Sequence, residues 1–542
     1  MSAWTATGRL VRLALRRDRV VLPIWLASIC GLIGVVVAAE TSLYQDADQR
    51  AAGAAFGAAN TITRIADGPA SGTSIGALSF VESYLVLAVF VALMSGQAVV
   101  RHTRLEEETG RAEIIGSSVV GRNARLSAAV IVAVSASLLV GLASAAFLMG
   151  NGLPAGGSWV AGAALAGTGI AFAGVAAVAA QVATSQRGAN GIVGLALGLS
   201  FVLRAVGDAG GHVAPNGVEL VSAWPSWLSP MGWGQQMRPY YQDNWGIAAL
   251  FVVFAALLVV VAFRLSGRRD LGAGLIADRA GRATADRGLL RPWGLAWRLQ
   301  RVPLLWWALG LAVIGAAMGS VGTSLDDFEE ASPQFTAMLR EQFPGAELVD
   351  VYAAFIMGFL GIAAAGYTVS ALLRMRAEEH SGRLEPLLAT ATDRRGWLAS
   401  HAAIAMGGTV AVLVAMGASG GVAYLAAGGT WSGAMGYVGA ATAQIPAVLA
   451  LGAFVVAVFA IAPRRSVAVA WAALAASFVA GQLGDMLKLP QAALNVSPFT
   501  HVPAIPAEPF GFLPIACLLA ATAILAAFAA VAFRKRDLSI PA

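Results

Sequence analysis

Twelve apolar runs, each near the length needed to cross a bilayer, constrain this chain more than any other feature. A helix spanning the hydrocarbon needs about 20 mainly apolar residues. Qualifying runs begin near Val21, Val81, Ser127, Val160, Gly191, Gly246, Pro303, Val351, Ala402, Met435, Ser466 and Leu513. Only 12% of the residues are charged, against about 25% in soluble domains. The chain is therefore expected to be an all-α integral membrane protein with about twelve transmembrane helices. The polar stretches, roughly 40–78, 208–245, 266–300, 323–350 and 484–510, are too short for a separate soluble domain. The 62 glycines suit helices packed closely in lipid.

Charge sets the expected orientation. Arginine clusters at 9–19, 101–125, 264–301, 374–395, 464–465 and 534–536, whereas the intervening loops are arginine-poor and 323–350 is acidic. This alternation follows the positive-inside rule. It places both termini in the cytoplasm and argues against nucleic acid as the reason for the net charge of +6. Arg16-Arg17 ahead of an apolar run ending Val37-Ala38-Ala39 also resembles a signal peptide. An uncleaved first helix fits better with the repeat that follows. Cys30 and Cys517 lie in apolar runs near opposite ends of the chain, so no disulfide framework or metal cluster is expected.

The runs form two sets of six. Glu106-Glu107-Glu108-Thr109-Gly110-Arg111-Ala112-Glu113 recurs, without a gap and 272 residues later, as Glu378-Glu379-His380-Ser381-Gly382-Arg383-Leu384-Glu385. Arg104 falls on Arg376. Arg16, Arg19 and Trp25 before the first run recur as Arg298, Arg301 and Trp307. Arg269-Asp270-Leu271 after the sixth recurs as Arg536-Asp537-Leu538 after the twelfth, and Ser229-Pro230 as Ser497-Pro498. The expected organisation is a first six-span domain at 1–265, a cytoplasmic linker at 266–297 and a second six-span domain at 298–542. Six spans per half make the repeat parallel, with its axis along the membrane normal. Leu10, Leu13 and Ala14, then Leu295 and Leu299, sit among arginines at helical spacing, so a basic interfacial helix is expected before each half.

A polar loop recurring at equivalent places in so apolar a chain points to a docking surface for a soluble partner. The expected form is a helix, a break at Gly110 or Gly382, then a short helix nearly parallel to the membrane. Its glycine suits an N-cap, and the glutamate three residues on suits the positive helix end. The plainer reading is a solvated loop held by internal ion pairs such as Arg111 with Glu107.

The phrase resembles the E-x-x-x-G-[T/R]-x-E loop of ABC exporter permeases. With RRDLGAG after the sixth span and GLAWRLQR before the seventh, the whole chain resembles the fused twelve-span polyketide-antibiotic (tetronasin-type) exporter permeases. The resemblance implies exporter-type ABC transmembrane domains in a bacterial cell membrane. It also implies coupling helices seated in separate nucleotide-binding ATPase subunits, two copies per permease, with ATP and Mg bound by that partner and no cofactor in this chain. The implied contact residues are Glu106, Gly110, Arg111 and Glu113, with Glu378, Gly382, Arg383 and Glu385 in the second half. Glu108 is replaced by His380 and Ile114 by Pro386, so the two docking sites are expected to be unequal.

The chain has no G-x-x-x-x-G-K-[S/T] and just two lysines, Lys488 and Lys535, so it carries no P-loop of its own. The five histidines, His102, His212, His380, His401 and His501, form no ligand spacing, and no nucleophile elbow occurs. No catalytic or metal residue is expected. Polar residues inside the runs are Gln97, Gln181, Arg204, Gln444 and Gln482. Gln181 and Gln444 are the candidate substrate-pathway residues, although interhelical hydrogen bonds explain most glutamines in such positions. Arg204 has Asp208 one turn away as a partner. Trp224 to Trp233, with its two prolines, reads as an interfacial tryptophan belt or a re-entrant hairpin. The expected cargo is a hydrophobic or amphiphilic compound such as an antibiotic or drug. The rival reading, a secondary transporter driven by an ion gradient, needs ionisable residues near the midplane, and mid-span Asp and Glu are nearly absent.

Overall fold

The computed structural model describes residues 2–69, 71–276, 283–324, 345–482 and 489–538, with a few isolated positions between them. Most of the acidic stretch 323–350 lies outside the described residues, as do 277–282 of the expected linker. The chain divides into two compact units, Met1–Ala280 and Gly281–Ala542.

The first unit starts with α1 (Thr7–Arg17) and α2 (Val21–Leu43), followed by short helices α3 (Ala47–Ala59) and α4 (Thr61–Ala66). Helix α5 (Ile75–Arg101) leads through α6 (Arg104–Glu108) and α7 (Arg111–Gly116) to α8 (Ala124–Gly150), α9 (Ala155–Val182) and α10 (Gln186–Ala209). A two-residue hairpin pairs His212–Val213 with Leu220–Val221. Next come α11 (Pro230–Gln236) and α12 (Ala248–Ser266). The second unit comprises α13 (Pro292–Val321), α14 (Leu348–Leu372), α15 (Arg374–His380), α16 (Leu384–Leu388), α17 (Arg394–Ala426), α18 (Trp431–Ala443), α19 (Ile445–Ile461), α20 (Ser466–Gln482), α21 (Gln491–Leu494) and α22 (Phe512–Lys535).

Among the described residues, eleven helices are long and apolar enough to cross a membrane. The eleventh expected run forms α20, a shorter apolar helix of 17 residues. All-helical backbone is what a bilayer demands, since each N–H and C=O must find its partner within the segment. The chain is a multipass membrane protein.

The units pack through small residues. In the first, Gly141 of α8 and Gly162 of α9 sit against each other's carbonyls, with no room for a Cβ at either. Tyr84 and Thr168 share a 2.8 Å hydrogen bond, and Ser95 donates to the Gly169 carbonyl at 2.6 Å. In the second, Gly319 of α13 abuts the Gly420 backbone of α17, and Thr368 meets Thr409 at 2.6 Å. Lipid supplies no hydrophobic drive between helices, so such close approach and interhelical hydrogen bonding hold them together. Gly319→Val is expected to push α13 off α17 and destabilise the unit by about 1–3 kcal/mol. Gly310→Val, with nothing near its Cβ position, should stay within about 0.5 kcal/mol of wild type. Thermal unfolding of the two variants in one detergent checks the contrast.

The segments before the two units differ. Helix α1 is separate, because Asp18 ends it: the carboxylate is buried, 2.8 Å from His102 and 3.2 Å from Arg101. The offset that places Arg16 on Arg298 puts Gln300 opposite Asp18, and there the helix runs on through Pro303. The expected interfacial helix at Leu295 and Leu299 is thus the first part of α13. The expected linker also needs correction. Leu275 and Ile276 donate backbone hydrogen bonds to the Gln181 and Val182 carbonyls, so the stretch up to residue 276 folds back on the end of α9 and belongs to the first unit.

Candidate functional site

The repeated phrase forms the same turn twice. In each copy a short helix ends at a glycine with positive φ, 71° at Gly110 and 70° at Gly382, a region that costs other residues about 1–2 kcal/mol. Gly110 then caps α7, as expected. In the second copy Arg383 occupies the N-cap instead. Pro386 explains the shift: a helix starting at Arg383 would need the proline's missing N–H for its first backbone bond, whereas starting at Leu384 leaves it among the free donors.

Each turn is anchored by a buried glutamate that meets an arginine from far along the chain. Glu107 accepts two hydrogen bonds from the Arg269 guanidinium, at 2.8 and 2.9 Å, and one from Arg104 at 2.9 Å. Arg104 is fully buried and also donates to the Ala180 and Ala273 carbonyls. In the second unit Glu379, the counterpart of Glu107, accepts from Arg536 at 2.9 Å. The Arg536 guanidinium lies over the rings of Phe459 and Phe533. Thus the Arg-Asp-Leu landmark after the last span of each half clamps the loop phrase of that half. The internal pair expected between Arg111 and Glu107 is not the one formed, because Glu107 faces inward while Arg111 stays exposed.

The candidate contact residues fall into two groups. Glu106 and Glu378 are buried: Glu106 binds Arg17 of α1, and Glu378 lies 3.1 Å from Arg383 and 3.6 Å from Arg374. Arg111, Glu113, Arg383 and Glu385 are exposed, beside the half-exposed glycines. Ile114, on the same surface as Glu113, is 73% exposed, and Pro386 stands exposed at the matching place. Glu108 accepts from the Gln186 backbone N–H at 2.7 Å, tying the first loop to α10, while His380 at this position is exposed. An open groove of about 540 Å³ lies beside the first loop, lined by Arg17, Asp18, Arg101, His102, Glu106 and Arg111.

Gln181 sits at the last turn of α9, donating to the Ala177 carbonyl at 3.1 Å and accepting from Arg269 at 2.8 Å. It belongs to the anchor of the first loop. Gln444 lies at the break between α18 and α19, buried against Gly361 of α14. The two glutamines therefore occupy different depths of their spans.

At the other end of the first unit, Arg204 and Asp208 pair at 3.2 Å as expected, but both are fully buried. Arg204 also donates to the Arg64 and Ile65 carbonyls, and Ser226 donates to Asp208 at 2.7 Å. Every residue of α11 is buried, while Trp224 and Trp227 are exposed. Two carboxylates stand toward the ends of spans, Glu40 in the last turn of α2 and Glu82 in the first third of α5, and mid-span acids remain scarce among the described residues.

With this geometry the comparisons decide the family. The chain is 39% identical over 541 residues to the multidrug efflux system permease protein Rv1217c of Mycobacterium tuberculosis, covering 99% of this chain and 96% of that one. The chain belongs to the Rv1217c-like multidrug efflux permease family. Residues 289–534 match the family model described as the C-terminal domain of multidrug efflux system permease Rv1217c. The match to this permease C-terminal domain begins beside α13 and ends within α22, spanning the second set of helices.

Proposed function

We propose that this permease is the membrane subunit of an ATP-driven ABC exporter of the tetronasin type, expelling hydrophobic or amphiphilic drugs across a bacterial cell membrane. Separate ATPase subunits, two per permease, supply ATP and Mg and dock on the two glycine turns, with both termini in the cytoplasm. One observation carries the reading. Both halves clamp the same loop through a buried Glu–Arg pair (Glu107 with Arg269, Glu379 with Arg536) and leave Glu113 and Glu385 on its outer surface. A loop meant only to join two spans needs no such rigid mounting. A loop that receives force does, since force is lost in whatever bends. The apolar exposure of Ile114 beside Glu113 gives the docking face a hydrophobic point within a charged rim, the usual composition of a protein interface.

Purification of the tagged chain from its native membranes in mild detergent tests the reading. A Walker-motif ATPase at about two copies per permease is the expected result. A chain that arrives alone in several detergents, and transports in ATP-free vesicles under an ion gradient, overturns it.

A further inference from the structure

The end of the first unit opposite the loops gathers three carboxylates from three elements. Glu40 comes from α2, Glu82 from α5, and Asp67 follows α4. Glu82 and Glu106 are 24 residues apart along one helical arm, roughly 36 Å at 1.5 Å per residue, so this cluster is remote from the docking turns. The three acids act on one another electrostatically, and Tyr44, just past the end of α2, is in range of Glu40 and Glu82. Glu40 is buried, Asp67 is half-buried and Glu82 is exposed, so the group runs from the interior to an open face.

Among the described residues no guanidinium is hydrogen-bonded to the three carboxylates, and Arg204 acts on Asp67 only at longer range. The Arg204 guanidinium donates to Asp208 and to the Arg64 and Ile65 carbonyls. Arg64 spends its donors on the carbonyls of Ala58, Ala59 and Gly211. Among the described residues two buried acceptors have no donor, Glu40 Oε2 and Oε1 of Gln235, a residue 4% exposed. The Gln235 carboxamide is seated over Gly68, its Nε2 donating to the Asp67 carbonyl at 2.8 Å. A buried acceptor without a donor is costly, and two beside a group of carboxylates call for a ligand that brings N–H groups and positive charge.

A small apolar crevice of about 20 Å³ lies on the same two helices, lined by their apolar residues and not by the acids themselves. Ile33 and Val37 precede Glu40 on α2, Phe80 and Ser83 flank Glu82 on α5, and Leu148 and Leu165 close the far side. We propose that the acids receive a cationic amphiphile, its protonated amine between Glu40, Asp67 and Glu82 and its apolar body along the apolar surfaces of α2 and α5. The proposal rests on the efflux reading, in that the bound amine is taken as cargo. It is confined to the first unit: at the matching offsets the second half has Gly322 and Ala354 in place of Glu40 and Glu82.

Burial, followed by repulsion from Glu82, pushes the Asp67 carboxyl up to about 8, with Arg204 opposing and Glu40 adding to the shift. A raised carboxyl is protonated and neutral below that value. Amine binding should therefore strengthen as pH rises from about 6 to about 9, provided the probe keeps its charge. The charged groups acting on Asp67 are Glu82 of α5, Arg204 of α10 and Glu40 of α2, with Tyr44 beside the two glutamates and Tyr84 and Asp208 beside Arg204.

Fluorescence anisotropy on the full chain in phosphatidylcholine nanodiscs, without any ATPase, tests the proposal. Rhodamine 6G is the cationic probe and Nile red the neutral one. Glu40→Gln with Glu82→Gln is expected to weaken rhodamine 6G binding at least tenfold and change Nile red binding less than twofold. Unchanged rhodamine 6G binding overturns the proposal, and so does an equal loss of both probes. Asp67→Asn, tested alone, should reduce the pH dependence, and an unchanged pH slope counts against the proposal. Replacing the lipid with phosphatidylethanolamine separates cargo from headgroup: abolished dye binding would mean that a lipid amine occupies the site and overturns the cargo assignment. Because no ATPase is present, these results stand apart from the copurification test. Dye binding with no ATPase partner sinks the exporter reading alone.

Discussion

Glu113→Ala combined with Glu385→Ala is expected to abolish drug export and release the ATPase, while the chain remains in the membrane at wild-type level. Both carboxylates are exposed on the outer side of the clamped turns and carry no ion pair among the described residues, so their removal leaves no buried charge behind. Each charge-assisted hydrogen bond lost at an interface is worth about 1.5–3 kcal/mol, or roughly 10- to 150-fold in affinity per docking site. With both sites weakened, copurified ATPase should drop below detection. Asp48→Ala removes an equally exposed acid on α3 and should leave association intact. Either single variant is informative as well. If Glu113→Ala hurts more than Glu385→Ala, the halves are unequal, as the change from Ile114 to Pro386 suggests. Normal export by the double variant would remove the coupling role from these loops.

Much of this architecture was legible because a bilayer leaves so few choices. All twelve apolar runs became helices, since length and hydropathy alone determine what can span lipid. The glycine breaks were legible for a similar reason, as a positive φ after a helix nearly demands that residue. What escaped the sequence depends on distance. Arg269 and Glu107 are both visible as repeated landmarks, yet 162 residues separate them and no local pattern says that they meet. The same holds for Gln181, whose helix suggested a transport pathway until its neighbours showed it to be part of the loop anchor. Glu40 and Glu82 were missed because each stands alone near the end of an apolar run, where a single acid resembles an ordinary boundary charge. Folding α2 against α5 turns two unremarkable residues into one site.

The anchor itself yields the sharpest energetic expectation. Glu379→Ala should destabilise the second unit by about 3–5 kcal/mol, because it leaves the Arg536 guanidinium enclosed without its carboxylate. Glu379 is 3% exposed, and the Arg536 side chain is 13% exposed over Phe459 and Phe533. Cation–π contact with those rings recovers about 1–2 kcal/mol at most, which falls short of the loss. Adding Arg536→Met should reverse most of the damage. A methionine fills the space against the two rings with no charge to solvate, and replacing a buried ion pair by apolar side chains is often neutral or better. The Arg394 hydrogen bond to the residue 536 carbonyl, 2.6 Å long, is to backbone and survives the change. Thermal unfolding of the single and double variants in the same detergent measures this cycle. The double variant should also separate stability from coupling: it folds, but its loop is no longer clamped by charge, so ATP hydrolysis should continue with export reduced. If the single variant unfolds at the wild-type midpoint, the Glu379–Arg536 pair is not an anchor. Full export by the stable double variant would show that packing alone mounts the second loop.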